Sequence, residues 1–185
     1  AFVQSVSKPI NSLCYDLKKE GYTNIAMHPF WKDSWRRGSV YPLLGFDECI
    51  FAENFGEEVQ HRASTMRSKP YFGSYEYIRG YLSDRECFGK IQELFENKEK
   101  DEKLFVFNVT IQNHGGYTYD EDDFETQVHA LNEENKELDQ YLTLASMSDE
   151  AIGELISYFK EYDEPTIIVI FGDHQPNISF ERNVR

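Results

Sequence analysis

The strongest chemical signal in the chain is Asp173-His174, which follows Gly172 at the end of the uncharged run Thr166-Ile167-Ile168-Val169-Ile170-Phe171. That run, mostly β-branched, has the length and composition of a strand buried on both faces of a parallel sheet. Pro176, just beyond the pair, bars further ladder pairing. Ligands of open α/β sheets sit beyond the carboxyl ends of the strands. A carboxylate and an imidazole are both metal ligands, so the pair reads as half of a divalent-metal site. The residues alone also allow an Asp that caps a following helix and a His that packs.

Two further histidines stand in similar places. His114 lies in Asn113-His114-Gly115-Gly116-Tyr117, after the apolar run Leu104 to Ile111, and glycines there permit close backbone approach. His28 follows the short run Tyr22 to Met27. In a parallel sheet the carboxyl ends of such strands share one edge, so the three imidazoles can converge. Between Phe30 and Phe46 aromatic and basic residues interleave, with Lys32, Trp35, Arg36 and Arg37 prominent in an acidic chain. From that stretch alone, solvated loop charges beside packing tryptophans are the better reading.

The elements that must position these residues are legible in part. Leu13, Cys14 and Leu17 have helical spacing within Ser12 to Glu20, with Gly21 as the stop. Ser83-Asp84-Arg85-Glu86 is a capping box opening a helix that runs to about Asn97 on Phe88, Ile91, Leu94 and Phe95. Leu138, Tyr141, Leu142, Ala145, Ile152, Ile156 and Phe159 keep one stripe from about Glu134 to Tyr162. Ser148-Asp149 could cap a fresh helix there, but the stripe stays in phase and favours one long helix. Residues 47–69 and 71–81 give no regular element, 98–103 a turn, and 120–125 a solvated acidic loop without the spacing of an EF-hand. Helix and strand alternate, which argues for α/β architecture with a parallel sheet.

Composition sets the bounds. The 185 residues suit one domain with a real core, and 14 Phe with 12 Tyr argue against disorder. A net charge of −14 repels nucleic-acid phosphates and anionic lipid, which excludes both as broad-surface partners. Cys14, Cys49 and Cys87 form neither a zinc pattern nor a disulfide framework. No apolar run is long enough to span a bilayer. The chain starts with Ala and ends soon after its best strand, which reads as an excerpt of a longer protein.

The motifs Gly21-Tyr22 before a strand ending at His28, Tyr81-Leu82-Ser83-Asp84, Asn113-His114-Gly115-Gly116-Tyr117, Ser148-Asp149-Glu150-Ala151-Ile152-Gly153 and Gly172-Asp173-His174 occur in an order that resembles the lipoteichoic acid synthase family. Those proteins are phosphoglycerol transferases of the alkaline phosphatase/sulfatase superfamily. The resemblance runs from about residue 8 to residue 178. It implies the superfamily's parallel-sheet α/β sandwich, truncated at both ends, so that residues 1–185 form a partial catalytic domain. It also implies that Asp173 and His174 hold the catalytic divalent cation, manganese first, with magnesium and zinc as alternatives. By the same resemblance His114 contacts the transferred phosphoryl group or the leaving oxygen. His28, Trp35 and Arg37 match a His followed by Trp-x-Arg that binds glycerophosphate. Where the family often has a polar residue two after that His, this chain has Phe30.

The implied reaction moves glycerophosphate from a phosphatidylglycerol-type headgroup to a polyglycerophosphate or glycan acceptor on the outer face of a bacterial cell membrane. The anchor, the nucleophilic Thr and an acidic metal ligand would lie upstream. Thr23 falls inside a strand, and Thr65 and Thr110 lack the nucleophile's setting. The excerpt alone would then be inactive. A sulfatase, a phosphoethanolamine transferase, a glucan phosphoglycerol transferase and a non-catalytic metal-binding remnant are the alternatives. An incomplete sheet would leave an unpaired edge able to pair with a second copy as a homodimer.

Overall fold

Three parallel strands form the centre of the first part of the chain in the computed structural model, which describes residues 5–56, 73–120, 124–131 and 134–178. The chain divides into two compact units, Ala1–Ile111 and Gln112–Arg185.

In the first unit, helix α1 (Leu13–Lys19) begins at Ser12, whose hydroxyl accepts the Cys14 N–H at 3.2 Å. Gly21 ends it at φ +82°, a conformation that costs a side chain energy. The chain then enters β1 (Tyr22–His28), whose last five residues are buried. Strand β1 lies between β2 (Glu48–Phe51) and β5 (Lys103–Asn108), parallel to both. Because pairing is parallel, His28 stands opposite Phe51 at the carboxyl ends. A period of two sends Ile25 and Met27 to one face, with Ile50, Leu82 and Cys87, and Ala26 to the other, with Tyr41 and Phe51. Burial on both faces accounts for the absence of apolar/polar alternation in β1.

The Phe30–Phe46 crossover holds two 3-10 turns, Ser34–Arg36 and Pro42–Leu44, around the single-turn helix α2 (Arg37–Val40). Strand β2 and the two-residue hairpin strands β3 (Tyr77–Ile78) and β4 (Tyr81–Leu82) fall where the sequence gives no regular element. Helix α3 (Asp84–Asn97) starts as expected at Ser83, but its capping box is half formed. Ser83 accepts the Glu86 N–H at 3.2 Å, whereas the Glu86 carboxylate reaches the Glu76 N–H at 3.1 Å. The hairpin supplies a competing donor, and Ser83 N–H goes to the Glu76 carbonyl.

In the second unit, α4 is one continuous helix, Lys136–Lys160, and Ser148 lies inside it. Its buried face runs Gln140, Thr143, Leu144, Ser148, Ala151 and Leu155. Polar members of that face hold the preceding extended segment. Gln140 Oε1 accepts the Tyr119 N–H at 3.1 Å, and Thr143 Oγ1 accepts those of Gln127 and Val128 at 3.1 and 3.0 Å.

The expected buried strand Thr166–Phe171 is a correction. Among the described residues it joins no ladder, and Ile167 and Val169 are 90% and 75% exposed. A strand exists only through a hydrogen-bonded neighbour, and composition cannot supply one. Thr65 and part of the acidic 120–125 segment lie outside the described residues.

Candidate active site

Three of the expected residues meet in the first unit. His28, the last residue of β1, is buried, and its Nδ1 lies 2.8 Å from the Val109 carbonyl oxygen. A carbonyl only accepts, so Nδ1 carries the proton and Nε2 is the variable position of the ring. The Trp35 ring stands edge-on to the imidazole, centroids 5.7 Å apart. The Arg37 guanidinium carbon lies 4.4 Å from the Trp35 centroid, within cation–π range. Trp35 is 45% exposed, so this basic-aromatic group is open to solvent on one side.

The backbone that delivers these side chains is strained. Trp35 and Arg36 both have left-handed φ, 53° and 57°, a conformation costly for side chains other than glycine. The tight path is closed by the Gly38 N–H donating to the Lys32 carbonyl at 2.8 Å. A Cβ on Gly38 would come within 3.1 Å of that same oxygen, so glycine is what the turn accommodates.

Among the described residues the Arg37 guanidinium is hydrogen-bonded at Nε. Its Nε donates to the Tyr41 hydroxyl at 3.0 Å, one helical turn on. Tyr41 is buried and stacks on Phe51 at 6.1 Å, and burial pushes its phenol up against the opposing pull of Arg37. Arg37 Nη1 is buried and has no hydrogen-bond partner among the described residues. A guanidinium is always charged, and an unsatisfied buried donor costs about 1–3 kcal/mol. An anion beside Trp35 would remove that cost.

The second unit carries the other expected residues. His114 is exposed in the turn after β5. Asp173 Oδ2 and His174 Nε2 are 3.5 Å apart on side chains about three-quarters exposed. His174 Nδ1 contacts the Gln175 carbonyl at 2.9 Å, the outer hydrogen bond that leaves Nε2 as the ligating nitrogen in metal sites. Carboxylate and imidazole make a donor pair suited to a divalent ion. Among the described residues no group of three or more His, Cys, Asp or Glu gathers around one point. Asp173 and His174 would supply two ligands of such an ion.

Sequence reasoning did not find Tyr41, Tyr117 or the link between Asn113 and Ser148. Asn113 Nδ2 donates to Ser148 Oγ at 2.8 Å, and the Tyr117 hydroxyl donates to the Asn113 carbonyl at 3.0 Å. The residues were visible within motifs, but their pairing spans 35 positions and has no local signature.

Comparison with known proteins bears on the family and the fold. The Sulfatase family model matches residues 3–182. The chain belongs to the sulfatase family. It is 29% identical over 181 residues to a protein named for cyclic beta-1,2-glucan modification in Rhizobium meliloti (strain 1021), covering 96% of this chain and 25% of that one. It is 25% identical over 161 residues to lipoteichoic acid synthase 1 of Bacillus subtilis (strain 168), covering 85% and 22%. Among solved structures, the lipoteichoic acid synthase LtaP of Listeria monocytogenes superposes with a TM-score of 0.60 at 20% identity, covering 83% of this chain and 34% of that one. The chain thus spans about a quarter of the length of the curated relatives it matches. Its α/β fold with a parallel sheet is shared with the LtaP structure and with that of a protein in the alkaline phosphatase superfamily from Vibrio parahaemolyticus, at a TM-score of 0.56 and 19% identity, covering 87% of this chain and 35% of that one.

Proposed function

We propose that this chain is part of a metal-dependent phosphoglycerol transferase that moves glycerophosphate from a phosphatidylglycerol-type lipid to a cell-envelope acceptor, a polyglycerophosphate or a glycan. The observation that carries this reading is the Arg37 guanidinium, laid on Trp35 beside His28, with a buried Nη1 donor left for an anion. A fork of N–H donors matches phosphate oxygens. A structure of the Streptococcus pyogenes phosphoglycerol transferase GacH with sn-glycerol-1-phosphate shares the fold, with a TM-score of 0.52 at 23% identity over 78% of this chain and 34% of that one.

In this reading Arg37 binds non-bridging phosphate oxygens and holds the headgroup, and Trp35 shields the ion pair from water. His28 presents Nε2 to a glycerol hydroxyl, its ring fixed by the Val109 carbonyl. His114 stabilises the transferred phosphoryl group and gives a proton to the departing diacylglycerol oxygen as its bond to phosphorus breaks. The incoming hydroxyl passes its proton to solvent water as it bonds to phosphorus. Asp173 and His174 are two ligands of the divalent ion, manganese first, which when bound supplies charge neutralisation and acidifies a hydroxyl nucleophile. The nucleophile, the remaining ligands and a membrane anchor that keeps the protein outside the cell are assigned to the rest of the gene product.

The test is a comparison of donors. The intact gene product is incubated with Mn²⁺ and, separately, phosphatidylglycerol vesicles, phosphatidylethanolamine vesicles and an aryl sulfate. Diacylglycerol release from phosphatidylglycerol alone is the expected result. Release from phosphatidylethanolamine alone identifies a phosphoethanolamine transferase, and aryl sulfate cleavage alone identifies a sulfatase. No turnover with any donor sinks the transferase reading and leaves a metal-binding remnant.

A further inference from the structure

We propose that Ser148 is a positioning residue for His114, acting through the side chain of Asn113; the inference rests on the phosphoryl-transfer reading of His114. Helix α4 grips the turn that bears His114 at two points seven residues apart, which puts both on one helix face. At the first, the Tyr141 ring packs edge-on against Tyr117, centroids 5.6 Å apart, and the buried Tyr117 donates its hydroxyl proton to the Asn113 carbonyl at 3.0 Å. At the second, buried Ser148 accepts from Asn113 Nδ2 at 2.8 Å and from Gln112 Nε2 at 3.5 Å. Asn113 is therefore fixed through both its main chain and its side chain, and the next residue is His114. On the other side Gly115 and Gly116 follow, with Gly116 at φ +96°, so the downstream backbone adds little stiffness of its own.

A serine inside a helix gains nothing from propensity, and its hydroxyl needs a reason to be buried. Here the reason is to receive two amide donors from the residues just before His114. Loss of that acceptor leaves the helix intact and removes the tether of Asn113 Nδ2 to it. Among the described residues that side chain then keeps the Gln112 Nε2 donation to Asn113 Oδ1 at 3.3 Å, from a neighbour in the same turn, and the imidazole samples more than one position. Misplacement of a reacting group by about 1 Å can cost up to about a hundredfold in rate.

The experiment uses Ser148→Ala, Ser148→Thr and Asn113→Ala in the intact gene product, with Ser157→Ala as a control on the exposed helix face. Diacylglycerol release from phosphatidylglycerol gives kcat and KM, and ¹³Cε1 relaxation dispersion of His114 reports its exchange between positions on the microsecond-to-millisecond scale. S148A and N113A should each lower kcat roughly tenfold or more, with KM within about twofold and no additivity in the double variant. S148T should restore most of the rate, and S148A should add dispersion at His114. An S148A enzyme with unchanged kcat, while His114→Ala abolishes turnover, overturns the inference. Absence of transfer by the parent enzyme refutes the underlying reading instead. The dispersion data then decide the clamp alone: unchanged His114 dispersion in S148A overturns it, and added dispersion upholds it. If S148A does not fold, N113A carries the same comparison.

Discussion

Replacement of Arg37 separates binding from folding more sharply than any other change. Among the described residues the guanidinium makes one side-chain hydrogen bond, Nε to the Tyr41 hydroxyl, and one ring contact, over Trp35. Those contribute about 0.5–1.5 and about 0.5–1 kcal/mol. Against them stands the buried Nη1 donor without a partner, a penalty of about 1–3 kcal/mol. The contributions nearly cancel, so Arg37→Ala should change unfolding free energy by less than about 1 kcal/mol. Binding is different, because phosphate would take up the vacant donor through a charge-assisted bond. A net loss of about 2–3 kcal/mol corresponds to about 30–150-fold in affinity. Arg37→Lys keeps the charge without the fork and should lose about tenfold, and Tyr41→Phe, which releases Nε, about fivefold. Isothermal titration with sn-glycerol 1-phosphate measures affinity, and urea unfolding measures stability. An R37A chain that binds within threefold of the parent refutes the reasoning, as does one that loses more than about 2 kcal/mol of stability with affinity intact.

Other expectations concern stability and the turn that shapes the site. Asp47 accepts from both the main-chain and side-chain nitrogens of Asn24, at 2.9 and 3.1 Å, and pairs with Lys18 at 2.7 Å, so Asp47→Ala should cost about 1–3 kcal/mol in urea unfolding. Burial works to raise the Asp47 carboxyl, but Lys18 and Asn24 outweigh it and hold the group below its usual value of 3.8. Its contribution is therefore present above that pH and lost as pH falls through the lower folded value, so the parent should lose more stability than D47A between pH 5 and pH 2. Equal losses would show that the carboxylate is not linked to folding. Gly38→Ala forces a Cβ toward the Lys32 carbonyl and should cost about 1 kcal/mol while weakening sn-glycerol 1-phosphate binding, since Trp35 and Arg37 ride on that turn. A more stable G38A chain with unchanged affinity would contradict the role given to the turn.

Much of this was legible in the sequence because it is local. Strand β1, helices α1 and α3 and the continuity of α4 follow from spacing and caps within a dozen or so residues, and all are found within two residues of their expected limits. Strand β2 was missed because four residues, Glu-Cys-Ile-Phe, carry too little pattern, and only register with β1 defines them. The hairpin at 77–82 was missed because its turn uses Arg79 at φ +52° and Gly80 at φ +74°, and nothing in the residue type of a buried arginine signals the first. Thr166–Phe171 shows the opposite error, a strand composition without a ladder among the described residues. The grouping of His28, Trp35 and Arg37 was readable only by resemblance. The left-handed pair Trp35-Arg36, which folds the guanidinium back over the indole, has no sequence signature.

The central claim, transfer of a glycerophosphoryl group with Asp173 and His174 as metal ligands, is tested most directly by mass spectrometry of the intact gene product mixed with phosphatidylglycerol vesicles and Mn²⁺. The account predicts the added mass of one glycerophosphoryl group with matching diacylglycerol release, both abolished by EDTA and by Asp173→Asn. Undiminished transfer by D173N or in EDTA, or no adduct and no diacylglycerol under any condition, would contradict it.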